Sequence, residues 1–398
     1  MTKKITVVVS CVLAMTIVFA CGYYAGRVDS DTTAKSSDSI LISGETYGLL
    51  QKYMSLNEIE QTIEAYFAGE YDAQRLIDGA AKGMTYSIGD IYADYYTAEE
   101  YEALLKKMQG SYTGIGISMT RSAEDGIITV LNIYKDSPAV DADIQIGDRI
   151  VKVGGKDVAE LSMAEIKEII QGDGVQIVAV VLQRGDETIE TEVISAEVTE
   201  NKVAYRMIGS VGYVKISAFE GDCVEGFKEA VAFVESNSAT GIVIDLRGNG
   251  GGVVDYAVAI ADMLLPEGVV VYSEDKYGRR HDYNSDNKQL GLPLAVLVNE
   301  RSASASEILA GALQDYGVGE LVGQPTFGKG VVQSMIPQKD GGRLKITTAH
   351  YYTPNGRDID GVGLKPDYEV ENEAAENPYL VADEDDAQLQ KALEVLGG

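Results

Sequence analysis

Apolar positions change period several times along the chain, and each change marks a different element. From Ile5 to Ala25 they run almost unbroken behind Lys3 and Lys4, long enough to cross a hydrocarbon core of roughly 30 Å as a helix. Residues 28–45 are polar and aperiodic, which predicts a solvated tether. Leu49, Tyr53, Leu56, Ile59, Ile63 and Tyr66 then recur at helical spacing. Further helical patterns follow over Asp72–Met84 and Glu99–Met108, giving a small helical domain over 46–110. Its apolar stripe predicts a core face, with homodimer contact as the alternative.

From Tyr112 to about Val198 short β-branched runs alternate with turns, with one helical pattern at Met163–Gln171. Beyond Val198 strands and helices alternate: Gly212–Ile216, a helix over Val224–Ser236, an apolar strand at Gly241–Leu246 and a helix over Val254–Leu264. A strand at Leu294–Asn299 and a helix over Ala305–Gln314 complete an α/β core. A β-rich extension, Val331–Tyr352, an acidic segment and a helix over Asp386–Leu396 end the chain.

Composition narrows the function classes. A net charge of -29 repels DNA, RNA and anionic headgroups, so nucleic acid is excluded as a partner. Cys11 and Cys21 lie in the apolar N-terminal run and leave Cys223 alone in the folded part, so neither an intrachain disulfide there nor a cysteine metal cluster is expected. His281 and His350 are the only histidines, too few and too far apart for HExxH zinc chemistry. The lysines before the apolar run place the N-terminus in the cytoplasm and everything after Arg27 outside. A cleaved signal, or a lipoprotein signal ending at Cys21, stays open beside an uncleaved anchor over 1–27.

Three segments carry candidate chemistry. In Asn299-Glu300-Arg301-Ser302-Ala303-Ser304-Ala305-Ser306-Glu307 a buried strand hands over to a helix. Ser304 and Glu307 have capping-box spacing, and a hydroxyl at a helix N-terminus also sits where developing negative charge is stabilised. A serine nucleophile needs a base, and with two isolated histidines and no GxSxG elbow that base is a desolvated lysine. Lys329, in Pro325-Thr326-Phe327-Gly328-Lys329-Gly330, is the candidate. Gly323–Lys329 also reads as a phosphate-binding GxxxxGK loop, but Gly330 stands where a Mg²⁺-ligating Ser or Thr belongs. The third segment, Asp245-Leu246-Arg247-Gly248-Asn249-Gly250-Gly251-Gly252, is a glycine-rich turn able to aim N–H groups at an oxyanion.

Two resemblances join these parts. Tyr112-Thr113-Gly114-Ile115-Gly116-Ile117, Ser137-Pro138-Ala139 and Ile146-Gly147-Asp148-Arg149-Ile150 resemble a PDZ domain, here over 111–197. That likeness implies that the loop at Gly114, Ile115, Gly116 and Ile117 receives a peptide's terminal carboxylate and the adjoining strand edge its tail. The aspartate-arginine-glycine turn, the triple-serine turn and the lysine loop, in this order after it, resemble the C-terminal processing peptidases.

The family resemblance implies Ser304 as nucleophile, Lys329 as general base, Gln333 as the residue orienting that lysine, and the N–H groups of Gly251 and Ala305 as the oxyanion hole. It implies no metal or organic cofactor. The sequence departs from the family at Gly250, where proline is usual, and at Gln171, where many members carry an arginine.

The fold class expected is therefore multidomain α+β and α/β: membrane helix, helical domain, PDZ domain, α/β serine protease core over 198–370 with its β-rich extension, and an acidic tail with a C-terminal helix over 371–398. The function expected is that of a single-pass cell-membrane endopeptidase with its catalytic domain extracytoplasmic. It would take protein or peptide substrates with accessible C-termini. The rival reading is a catalytically inactive PDZ scaffold.

Overall fold

The computed structural model describes residues 43–108, 111–122, 125–172, 174–286, 288–372 and 383–397. The membrane anchor expected over 1–27 lies outside them. Among the described residues no helix is long and apolar enough to cross a membrane. The chain divides into two compact units between Ile88 and Gly89.

In the first unit the helices Gly44–Tyr66 and Ala73–Tyr86 start at side-chain caps, Ser43 Oγ accepting from Thr46 N–H and Asp72 from Gln74 N–H. The helix forms as the periodicity predicts, but the expectation of a core face is corrected. No residue of Gly44–Tyr66 is buried, and Leu49, Leu56 and Ile59 stay exposed. Periodicity specifies a face without specifying what covers it.

The second unit opens with β1 (Asp94–Tyr96) and the helix Ala98–Met108. An antiparallel sheet follows from β2 (Ser111–Gly114), β3 (Ile117–Arg121), β4 (Ile128–Ile133), β5 (Arg149–Val153), β6 (Lys156–Asp157), β7 (Gln176–Arg184) and β8 (Glu187–Thr199). Its order is β2-β8-β7-β5-β4-β3, with β6 on β5. The alternating residues Ile128 and Val130, Val178, Val180 and Leu182 pack on Ile166 and Ile170 of the helix Met163–Gln171.

The remaining strands are β9 (Val203–Ile208), β10 (Val211–Ile216), β11 (Gly241–Asp245), β12 (Gly268–Asp275), β13 (Arg280–Ser285), β14 (Leu294–Val298), β15 (Gly319–Gly323), β16 (Val331–Pro337), β17 (Arg343–Tyr352) and β18 (Tyr368–Glu369). One sheet runs β18-β15-β14-β11-β10-β9, parallel except between β10 and β9. The other has β17 between β1 and β12, with β13 beyond β12 and β16 also on β17.

The parallel strands are buried on both faces, which explains their unbroken apolar runs. Ile242, Ile244, Val296 and Val298 face the helices Cys223–Ser236, Val254–Asp262 and Ala305–Tyr316. Val243, Leu297 and Val322 face Leu389 and Ala392 of the C-terminal helix Ala387–Val395. That helix is fastened to the end of β11 by polar contacts. Arg247 Nη1 donates to Asp386 Oδ1 at 2.9 Å and to Gln388 Oε1 at 3.0 Å, while Arg247 Nη2 reaches Asp245 Oδ2 at 2.7 Å.

Because β11, β14 and β15 are parallel neighbours, the segments leaving their carboxyl ends emerge side by side. These are the glycine-rich turn, the triple-serine turn and the lysine loop. An open parallel sheet places functional groups at that edge, which is how segments far apart in sequence meet.

Candidate active site and peptide groove

The triple-serine turn gives its serines different jobs. Ser302 and Ser306 are fully buried, Ser302 Oγ donating to Leu246 O at 2.8 Å and Ser306 Oγ to Asn249 O at 2.9 Å. Both fasten this turn to the glycine-rich turn. Ser304 between them is half-buried and has φ +56° and ψ −113°, a conformation that costs a non-glycine residue about 1–3 kcal/mol. The glycine-rich turn presses directly on it. A Cβ on Gly251 would lie 2.9 Å from Ser304 Cβ and 2.7 Å from Ala303 O, and Gly251 itself has φ +103°, so only glycine fits.

Glu307 joins the serine to the lysine loop. It is wholly buried within the first turn of the Ala305–Tyr316 helix, and its carboxylate accepts four hydrogen bonds. Oε2 takes Ser304 N–H at 2.9 Å and Lys329 N–H at 2.8 Å; Oε1 takes Thr326 Oγ1 at 2.5 Å and Gly328 N–H at 2.7 Å. A fifth tie runs from Phe327 N–H to Ser302 O at 3.0 Å. The N–H groups of the lysine loop converge on the protein's own Glu307 carboxylate, and the GxxxxGK spacing stays the coincidence that Gly330 marks it as. Capping-box spacing was the sequence signal for Glu307, and it captured only the bond to Ser304.

The loop glycines answer to close packing. A Cβ on Gly330 would meet Asp360 N at 2.5 Å, and one on Gly328, where φ is +84°, would meet Val362 N at 2.8 Å. Lys329 is half-buried, and its Nζ sits 4.6 Å from the centroid of the Tyr92 ring. Burial first, then the Lys345 charge, pushes the Lys329 amine below the ordinary lysine range, against the opposing pull of Asp90 and Glu307. That direction favours a neutral amine able to accept a proton.

Gln333 Nε2 contacts Val331 O and Thr347 Oγ1, each at 3.4 Å, and not Lys329. Gly251 N–H donates to Asn249 Oδ1 at 2.8 Å, so its donor is engaged within the turn. Ala305 N–H is the first of the helix, where orphan donors and the dipole are available. Asn249, fully buried, stands in the glycine-rich motif but had no role assigned to it from the sequence. Its Nδ2 donates to Ile216 O at 2.9 Å while its carbonyl accepts Ala303 N–H at 3.0 Å, so it organises both turns.

The glycine loop of the antiparallel sheet borders a cavity of about 950 Å³ lined by Tyr112, Ile115, Ile117, Lys167, Ile170 and Gln171, among others. Among the described residues β3 is the terminal strand of its sheet, with no strand paired on its outer side. A Cβ on Gly116, at φ +84°, would lie 2.1 Å from Ser137 Cβ, and Ala139 N–H donates to Ile115 O at 2.8 Å. The two motifs are therefore one packed unit. In the third motif Asp148 is buried against Arg184 Nε at 2.8 Å.

Comparison with known proteins agrees with this architecture. Residues 210–370 match the peptidase family S41, and residues 129–184 match a PDZ domain. The chain is 32% identical over 362 residues to a carboxy-terminal-processing protease of Bartonella bacilliformis, covering 88% of this chain and 82% of that one. It is 33% identical over 340 residues to a Staphylococcus aureus (strain COL) protein described as "Probable CtpA-like serine protease", covering 83% of this chain and 68% of that one. The solved photosystem II D1 C-terminal processing protease superposes with a TM-score of 0.52 at 27% identity, covering 90% of this chain and 98% of that one.

These likenesses define the class as a serine-type peptidase with a PDZ domain. Within that class, the chain belongs to the carboxy-terminal-processing proteases of peptidase family S41.

Proposed function

We propose that Ser304 is the nucleophile and Lys329 the general base. The observation carrying this is the difference among three neighbouring serines: Ser302 and Ser306 are buried and bonded to backbone, whereas Ser304 is accessible, strained and tied through Glu307 to the Lys329 loop. Neutral Lys329 takes the hydroxyl proton as Ser304 Oγ attacks the peptide carbonyl. The proton passes to the leaving amine, and water hydrolyses the acyl-enzyme. Ala305 N–H receives the oxyanion, joined by Gly251 N–H once it leaves Asn249. Gln333 holds Lys329 in that assembled state. The domain over 111–197 captures the substrate tail at Gly114–Ile117, and the core over 198–370 cuts near the C-terminus.

Lys329→Ala tests the base: cleavage of an unstructured protein should fall by about 10³-fold or more at neutral pH. Amidating the substrate's terminal carboxylate should raise KM about tenfold with little change in kcat. Undiminished cleavage by Lys329→Ala overturns the base assignment, and an unchanged KM overturns carboxylate capture.

We further propose an extracytoplasmic enzyme held in the cell membrane by residues 1–27, with the exposed face of Gly44–Tyr66 pairing with a second copy. Alkaline extraction followed by light scattering of the full chain in detergent checks both. Release into the soluble fraction removes the anchor, and a monomeric mass removes the pairing.

A further inference from the structure

Tyr92 belongs to none of the motifs that mark the catalytic segments. It lies in the turn just before β1, with its ring centroid 4.6 Å from Lys329 Nζ. The turn is held in place by Asp90, which accepts Tyr92 N–H at 2.9 Å on Oδ1 and Thr347 N–H at 3.0 Å on Oδ2. Thr347 pairs with Gln333 across β16 and β17. The turn that carries the ring is thus fixed to β17, the strand paired with the one bearing the proposed lysine-orienting glutamine. A second pair repeats the arrangement beside it: Lys345 Nζ lies 3.2 Å from Tyr96 Oη and 5.5 Å from that ring's centroid.

We propose that Tyr92 is a positioning residue for Lys329, its ring face holding that side chain in its ammonium form. This rests on the reading of Lys329 as general base. An aromatic face attracts a cation and has no such attraction for a neutral amine, so the contact stabilises the wrong protonation state for catalysis and is lost in the working one. Burial, followed by the charges of Asp360, Glu307 and Asp90, keeps the Tyr92 phenol protonated, leaving a neutral ring. The charged groups around the pair are Lys345 on β17, Asp90 on the same turn, Glu307 on the Ala305–Tyr316 helix and Asp360 on the loop against Gly330.

The experiment is the pH profile of kcat/KM for the full chain with Tyr92 replaced. Tyr92→Phe preserves the ring face and should keep the wild-type acid limb. Tyr92→Leu keeps apolar bulk over the amine but removes the ring, so the acid limb should move down by about 0.4 to 1.5 pH units. At a fixed pH below that limb the variant should run about 2.5- to 30-fold faster relative to its own plateau than wild type does. Pentafluorophenylalanine at position 92 matches the ring's shape while removing its negative face, and should show the same downward shift even where leucine disturbs folding. An acid limb that is unmoved, or that moves up, in the fluorinated enzyme overturns the proposal. Lys329→Ala separates the two readings: full activity there removes the base itself, whereas lost activity there with an unmoved limb in the Tyr92 series removes only the role of Tyr92.

Discussion

Ser304→Ala should fold as the parent does and lose cleavage of an unstructured protein by roughly 10⁴-fold or more, while Ser302→Ala and Ser306→Ala should lose stability first. The buried hydroxyls of Ser302 and Ser306 each satisfy a carbonyl, and Ser302 Oγ also accepts Asn299 N–H at 2.9 Å. Deleting either leaves buried polar groups unpaired at about 1–3 kcal/mol. Loss of a nucleophile removes the reaction pathway and leaves only the contribution of binding and oxyanion donors. The strained backbone at Ser304 adds a second observable. Glycine tolerates φ +56° and ψ −113° far better than alanine, so Ser304→Gly should unfold at a higher temperature than Ser304→Ala, although both are inactive. Equal cleavage by Ser304→Ala and the parent sinks the nucleophile assignment; a less stable glycine variant sinks the account of strain.

The secondary structure of the parallel core was legible because burial on both faces writes continuous apolar runs. The strand expected at Gly241–Leu246 forms over Gly241–Asp245, and the helix expected over Ala305–Gln314 continues to Tyr316, where left-handed Gly317 ends it. The stripe on Gly44–Tyr66 was legible as a helix but not as an exposed one, since nothing in a period names its partner. The candidate residues Ser304 and Lys329 could be picked out from local chemistry and resemblance. Their connection could not, because Glu307 reaches Gly328 and Lys329 across the fold while its spacing to Ser304 explains it fully on local grounds. Tyr92 and the role of Asn249 were hidden for the same reason: an aromatic after a turn and an asparagine between glycines have ordinary local uses. The engaged Gly251 N–H and the placement of Gln333 away from Lys329 depend on which of two hydrogen-bond partners is chosen, a choice no motif encodes.

Glu307→Gln should be severely damaging although it is nearly isosteric. All four partners of the carboxylate are donors, three backbone N–H groups and the Thr326 hydroxyl. An amide retains one acceptor oxygen and turns its NH₂ toward two of these donors, so two of the four hydrogen bonds are lost. At about 1–3 kcal/mol for each, the loss is about 2–6 kcal/mol, a substantial part of a typical domain's stability. The Thr326 hydroxyl can rotate, whereas the N–H groups of Ser304, Gly328 and Lys329 cannot, so the amide oxygen that survives should settle on one side and release the other. Either choice halves the hydrogen bonds by which this side chain holds the lysine loop against the serine turn, and loosens their register. A displacement of even 1 Å between reacting groups costs on the order of 10²-fold in rate, and kcat should therefore fall by at least that much in whatever fraction remains folded. Thr326→Val removes only one of the four donors and leaves both backbone ties on Oε2, so it should keep far more of kcat. The comparison is made by chemical denaturation alongside kcat on a single substrate. A Glu307→Gln enzyme with parental kcat would show that Ser304 and Lys329 are held in register by something other than this carboxylate.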